Sequence, residues 1–378
     1  MTEGIPITPP ILIWARERAG LSRDELIDKF PRYANWEIGN SFPTYAQLEK
    51  LAETFKVPIA VFFFPKPPEV PSIAKTFRTL PESEVDNFPS RMHMLLRKAK
   101  FLQLSLDELT EGKNPSSRLI TRDLNFAPNS SIEEMAAAVR SFIGISIEDQ
   151  QKWNDTDTAL KEWRSALLNV GIFVFKDAFK LDEYSGFCLY DTTFPIIYVN
   201  NSSAKTRQIF TYFHELAHLL FHTSGIDPID VGYINNLSDE QQQIEIICNR
   251  FASEFLLPGE AFNKASALLD NSERSAETLA SLFHVSRETI FRRFLDKGLI
   301  QARQYNTAVQ RWNLQHQTGG SGGDYYWTKL SYLGKGYVGL ALRQFHRNKI
   351  NENELAEYLV TKPKNVGVLE EYFEKGGV

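Results

Sequence analysis

The stretch YFHELAHLLFH, from Tyr212 to His222, limits the fold more than any other part of this chain of 378 residues. On an α-helix a four-residue step turns only about 40°, so His214 and His218 share one face, about one turn apart. Phe210, Phe213, Leu216, Leu219 and Leu220 surround them. A helix this apolar belongs in an interior or lines a cleft, where polar rings need a partner. Two imidazoles at this spacing can hold one Zn²⁺ at roughly 2.0–2.1 Å each. Glu215, next to the first of them, would stand beside the ion's open position as a general base. This is the H-E-x-x-H pattern of metallopeptidases.

Such a site takes a third protein ligand and leaves a fourth position free. His222 lies near the same face, but about 12 Å from His214 in rise, so three rings on one straight helix cannot converge. It reads instead as a helix-end residue. The segment IEIICNRFASEFLLP, starting at Ile244, offers carboxylates. Its apolar stripe of Ile244, Ile247, Cys248, Phe251 and Phe255 has the spacing of a buried helix face. Glu245 lies about 100° round from Ile244, beside Asn249 and small Ala252. Glu254 points nearly opposite, so the two cannot serve one ion. Glu245 is taken as the third ligand with Glu254 as the alternative, a preference that periodicity alone does not carry.

A chain of this length exceeds one compact core, and its organisation follows the breaks in pattern. Residues 1–70 read as five short helices in a helix-turn-helix bundle, with Ser22 capping the second. Residues 71–130 combine a proline-rich extended linker with a helix from Ser90 to about Glu111. Residues 131–265 hold helices, then three β-prone runs, IFVFK, FCLYD and PIIYVN, and then the two helices above. PIIYVN lies just before the H-E-x-x-H helix and is expected to be an edge strand that pairs with an extended substrate. That makes Tyr198 and Asn200 candidate substrate contacts. Residues 266–315 contain VSRETIFRRF, which resembles a second small helix-turn-helix, with Ser286 as its cap. Its Arg287, Arg292 and Arg293 either pack against the preceding domain or meet substrate or nucleic acid. TGGSGGD, at Thr318 to Asp324, is a flexible break before a helical C-terminal region, 325–378. The fold class is therefore α+β, mostly helical, with a small mixed sheet packed on the H-E-x-x-H helix.

FTYFHELAHLLFH followed by EIICNRFASEFLLP resembles the ImmA/IrrE metallopeptidases. Their pattern joins H-E-x-x-H to a downstream E-x-x-[AC]-N-x-F-A ending in L-[ML]-P. The resemblance implies a zincin-like core, with Glu245 as the third ligand. The segment GFCLYDTTFPIIYVN is similar to the one before the family's active helix. NWEIGNSFPTYAQLEKLAETFKVPIAVFF resembles the Cro/repressor-type helix-turn-helix often fused to this family. The family implies a cytoplasmic protease with one Zn²⁺ per chain. It would cleave a partner regulator, such as a helix-turn-helix repressor or a neighbouring-gene product, and so control stress or mobile-element and defence genes.

The N-terminal unit departs from that pattern. Only PRYA separates LIDKF from NWEIG, so its recognition helix is truncated or recast. Arg32 and Asn35 are the side chains that would meet a DNA groove. Residues 1–70 nevertheless carry eight Lys and Arg against nine Asp and Glu, a poor footprint for a polyanion. A protein-contact role fits at least as well.

Whole-chain composition agrees. A net charge of -5 argues against general polyanion binding. No apolar run reaches the roughly 20 residues a membrane span needs, and MTEGIPITPP lacks a signal pattern. Two cysteines, Cys188 and Cys248, cannot frame a disulfide scaffold, which points to a reducing cytoplasm. Two functions from different classes compete. One is a zinc endopeptidase. The other is a transcriptional regulator or antitoxin-like binding protein whose metal site is structural or vestigial. Glu215 separates them, because a structural site has no use for it.

Overall fold

The computed structural model describes residues 4–19, 21–55, 57–68, 88–126, 130–228, 239–315 and 323–376. The proline-rich linker at 69–87 and most of the TGGSGGD break fall outside them. Two compact units divide the chain, 1–98 and 99–378.

The first unit is built from helices Pro9–Ala19, Arg23–Lys29, Tyr33–Glu37 and Tyr45–Phe55 and a 3₁₀ turn, Ile59–Phe63. Ser22 and Glu25 close a reciprocal capping box at the start of the second helix, satisfying two otherwise orphaned amides. Ile11, Leu12, Leu26, Trp36, Leu48, Leu51, Phe55 and Phe62 form the core. The buried Glu37 carboxylate is held by Arg16 at 2.7 Å. The third helix has only five residues, with Arg32 as its uncapped N-cap. Arg32 and Asn35 are both exposed.

The second unit contains a four-stranded mixed sheet: β1 (Phe173–Asp177), β2 (Tyr184–Leu189), β3 (Ile196–Asn200) and β4 (Ile226–Pro228). Its order is β1-β3-β2-β4. Strands β1 and β3 run parallel, with Phe173 opposite Ile196, while β2 is antiparallel to both β3 and β4. β1 and β3 are buried throughout, as near-continuous apolar runs demand.

PIIYVN is thus a central strand, and its expectation as an edge is overturned. It has hydrogen-bonding neighbours on both sides and no free backbone to offer a substrate. The edges are β1 and the three-residue β4, a strand that no periodicity announces.

Helices cover both faces of the sheet. Val174, Cys188, Ile197 and Val199 face the motif helix, Lys205–Leu220, and join one core with the carboxylate helix, Asp239–Leu256. Trp163 packs against the stacked pair Phe213 and Phe255 at 4.9 and 5.3 Å. On the opposite face Phe187 stacks on Tyr198 at 5.1 Å, and Phe175 meets Tyr337 at 5.3 Å. Tyr337 belongs to the C-terminal helices, so residues 323–376 complete this unit.

The same core continues through Ala276, Leu279, Phe283, Ile290, Phe291, Phe294 and Trp312. A boundary at 265 therefore does not divide it. Ser286 caps the helix Arg287–Asp296. Arg287 lies over Trp312, Arg292 pairs with Asp296, and Arg293 donates to Glu254 and to the Leu257 carbonyl. Of the three, Arg293 takes the packing role against the carboxylate helix, while the Arg292–Asp296 pair is exposed on its own helix. Arg140 and Gln150 tie down the end of the carboxylate helix: Arg140 donates to the Phe255 carbonyl, and Gln150 to Leu256 and Phe283 at 2.9 and 2.7 Å.

Candidate metal centre

The motif helix holds His214, Glu215 and His218 with side chains at most 1 % exposed. No proline or glycine interrupts it. The carboxylate helix packs across it, and Glu245, 6 % exposed, reaches both rings. Glu245 Oε2 lies 3.4 Å from His214 Nε2, and its Oε1 lies 3.2 Å from His218 Nε2. The two Nε2 atoms are 3.3 Å apart. Among the described residues this is the one group of three or more such side chains close enough to share an ion.

Those distances fit a metal. A tetrahedral site with ligands at 2.0–2.1 Å has ligand-to-ligand edges of about 3.3–3.4 Å. Two imidazole nitrogens and a carboxylate oxygen are a donor set suited to zinc. Burial alone would lower both histidines, yet both are raised, with Glu245 contributing to each, together with Asp227 for His214 and Cys248 for His218. Burial alone would raise Glu245, but His218 and His214 hold it below the usual carboxylate range. The triad thus draws positive charge to its centre.

Glu215 is not part of that triad. Burial pushes its carboxyl up to about 7, against the pull of His214 and His218. Neither carboxylate oxygen has a hydrogen-bond partner of ordinary geometry among the described residues. A buried carboxyl raised in this direction is equipped to accept and return a proton.

The other sequence candidates lie elsewhere. Tyr198 points to the sheet face away from the motif helix and is fully buried, its hydroxyl donating to Asp177 at 3.2 Å. Asn200 is 2 % exposed and commits its amide to the Leu181 and Tyr184 carbonyls, while its Oδ1 accepts from Phe179 and Ser202. As substrate contacts both are corrected: strand alternation and burial make them parts of the frame. Glu254 accepts from the Gly259 amide at 2.7 Å and from Arg293 at 3.0 Å, with no part in the triad. His222 follows the helix in a left-handed conformation, with its Nε2 2.9 Å from the Thr121 carbonyl. Cys248, one turn after Glu245, is buried.

The supporting residues had not been singled out. Asp227, on β4, accepts from Arg207 at 2.8 Å and Thr211 at 3.0 Å. Thr211 precedes His214 by three positions, a same-face relation readable from spacing. Asp227 carries no such signal, because only the fold brings β4 to the helix. Gly225 is a steric constraint on the site: a Cβ there would lie 2.5 Å from the His218 ring.

Comparison with known proteins agrees with this geometry. No curated protein matches the chain. Residues 168–295 match the family model Peptidase_M78, described as the IrrE N-terminal-like domain. That span includes the whole sheet, both helices and all four residues, His214, Glu215, His218 and Glu245. The match supports a metallopeptidase-type function and places residues 168–295 with the IrrE N-terminal-like domains, in agreement with the ImmA/IrrE resemblance.

Proposed function

We propose that this protein is a cytoplasmic zinc endopeptidase that cuts a partner regulatory protein, such as a helix-turn-helix repressor or a neighbouring-gene product. One observation carries the reading: a compact His214, His218, Glu245 triad beside an unpaired, buried Glu215. Held by the triad, Zn²⁺ supplies Lewis-acid polarisation of a peptide carbonyl and makes nearby water more acidic. Glu215 accepts the proton from the attacking water and delivers it to the leaving amine. Burial raises its carboxyl above the usual carboxylate range, the direction a group needs if it is to hold the proton between the two transfers. Glu245 fixes both imidazoles by charge, and Thr211, Asp227 and Arg207 brace the helix that carries them.

The rival reading, a regulator with a structural metal, gains nothing from Glu215. Burying an unpaired carboxylate costs stability, and a structural site has no chemistry to offset it. The choice of a regulator as substrate rests on the ImmA/IrrE resemblance, and so does a role in stress or defence gene control. The N-terminal unit is assigned to recognition of that partner, given its charge balance and five-residue third helix.

The test is metal analysis of purified protein, followed by co-expression with neighbouring gene products and mass spectrometry. One zinc per chain and a partner cleaved at one site by wild type but not by Glu215→Gln are expected. Metal-free protein, or cleavage that survives Glu215→Gln, defeats the proposal.

A further inference from the structure

A cavity of about 1140 Å³ lies at the opposite end of the motif helix, bounded by helix Thr156–Asn169, β1 and the C-terminal helices. Five cationic side chains line it, Lys161, Arg164, Lys176, Lys205 and Lys335, against a single carboxylate, Asp157. Asp157 is already paired with Lys205. Arg164 gives its donors to the carbonyls of Val174, Ser331 and Tyr332, which satisfy its hydrogen bonds and leave its charge unbalanced.

Lys176 is the unusual member. The residue is 5 % exposed, and its ammonium lies 5.8 Å from the centre of the Tyr212 ring with no hydrogen bond or ion pair among the described residues. Keeping a lysine this far from bulk water without an ion-pair partner costs free energy. Burial, and then Arg164, hold its pKa well below the ordinary lysine value, so the site is strained toward losing a proton.

The helix terminus adds to the same field. The motif helix is 16 residues long, its N-cap is Ala204 with no side-chain cap, and its first turn contains no acid. Ala204, Lys205 and Thr206 all line the cavity. Uncapped first-turn amides and the positive end of the helix dipole favour an anion.

We propose that this cavity binds a small phosphorylated molecule, held by Lys176 within, by Lys161 and Lys335 at the rim, and by the first-turn amides of the motif helix. It is a separate site from the metal centre: Lys205 precedes His214 by nine residues, about 14 Å along the axis. The volume exceeds that of phosphate alone and suits a ligand with an organic portion. Trp327, on the wall and 39 % exposed, offers that portion a flat aromatic surface.

The experiment is calorimetric titration of the full-length protein with inorganic phosphate and with AMP, at matched chloride ionic strength. Saturable one-site binding is expected, tighter for AMP. Replacing Lys176 by Met is expected to weaken it about tenfold or more, the loss of one charge-assisted contact. The exposed control Lys264→Met, outside the cavity, leaves it unchanged. No saturable binding of either probe, or undiminished binding by Lys176→Met, overturns the proposal. If Lys176→Met does not fold by circular dichroism, the rim variant Lys161→Glu/Lys335→Glu decides. Wild-type affinity in that variant overturns the proposal equally.

Discussion

Glu215 and Lys176 are both buried ionisable groups, and each exposes the cost of function in a measurable way. Replacing Glu215 by Gln removes the proton carrier and keeps the shape. Cleavage is expected to fall by about 10² or more, while zinc stays bound at one per chain, a combination read by single-turnover assay with metal analysis. The metal-free variant should also melt no lower than wild type, because an unpaired carboxylate has gone. For Lys176 the sign follows from its lowered pKa. The unfolded chain holds that proton more tightly, so the folded state is penalised wherever a free lysine is charged, and the penalty fades as pH rises toward 10.5. Arg164, Lys205 and Lys161 deepen the penalty, while Asp157 relieves it. Lys176→Met should therefore raise the melting temperature at pH 7, with a gain that shrinks on titration toward 10.5. A gain independent of pH would exclude this account. At this scale the sequence is most legible where the law is local. His214 and His218 follow from a four-residue helical step. Tyr198 and Asn200 misled because the face a strand residue takes depends on which strands flank it.

Each helix near the site could be read from its apolar stripe, and the three longer strands from their β-branched and aromatic content. β4 escaped, since three residues carry no period. Strand order escaped as well: nothing in PIIYVN distinguishes a central strand from an edge, because both are apolar when buried on two faces. The missed elements are the ones that press on the metal centre from behind. Gly225, just before β4, sits where a side chain would collide with the His218 ring. Gly225→Ala should lower zinc affinity at least tenfold and cost roughly 1–3 kcal/mol in stability, checked by competition with a zinc chelator and by thermal unfolding. Glu254→Ala tests a different joint. It frees the Gly259 amide and Arg293, so stability should fall by about 1–3 kcal/mol with zinc affinity unchanged. Glu245→Ala should do the reverse and abolish tight zinc binding. Exchange of those two outcomes would move the third ligand to Glu254.

Across the whole molecule, separate cores divide the chain. Ile11, Leu26, Trp36 and Leu51 belong to the first unit, while Trp163, Phe213, Phe251 and Phe294 belong to the second. A fragment from Phe88 to Gly376 keeps the helix Ser90–Leu109 and the second core intact. It is expected to fold cooperatively and bind one zinc, which circular dichroism melts and metal analysis would check. Among the described residues no helix is long and apolar enough to cross a membrane. The division of labour was partly legible from the Pro-rich and Gly-rich breaks. The continuity of residues 131–315 was not, because contacts such as that of Phe262 with Phe294 join segments that look independent in sequence.

Arg140 and Gln150 give that continuity a practical meaning. They close the last carbonyls of the helix that carries Glu245, yet both stand upstream of residue 168, where the match to the family begins. Expressed alone, residues 168–295 would leave those carbonyls buried and unanswered, beside the hole left by Trp163. What this protein inherits from its relatives and what it needs in order to stand up have different edges.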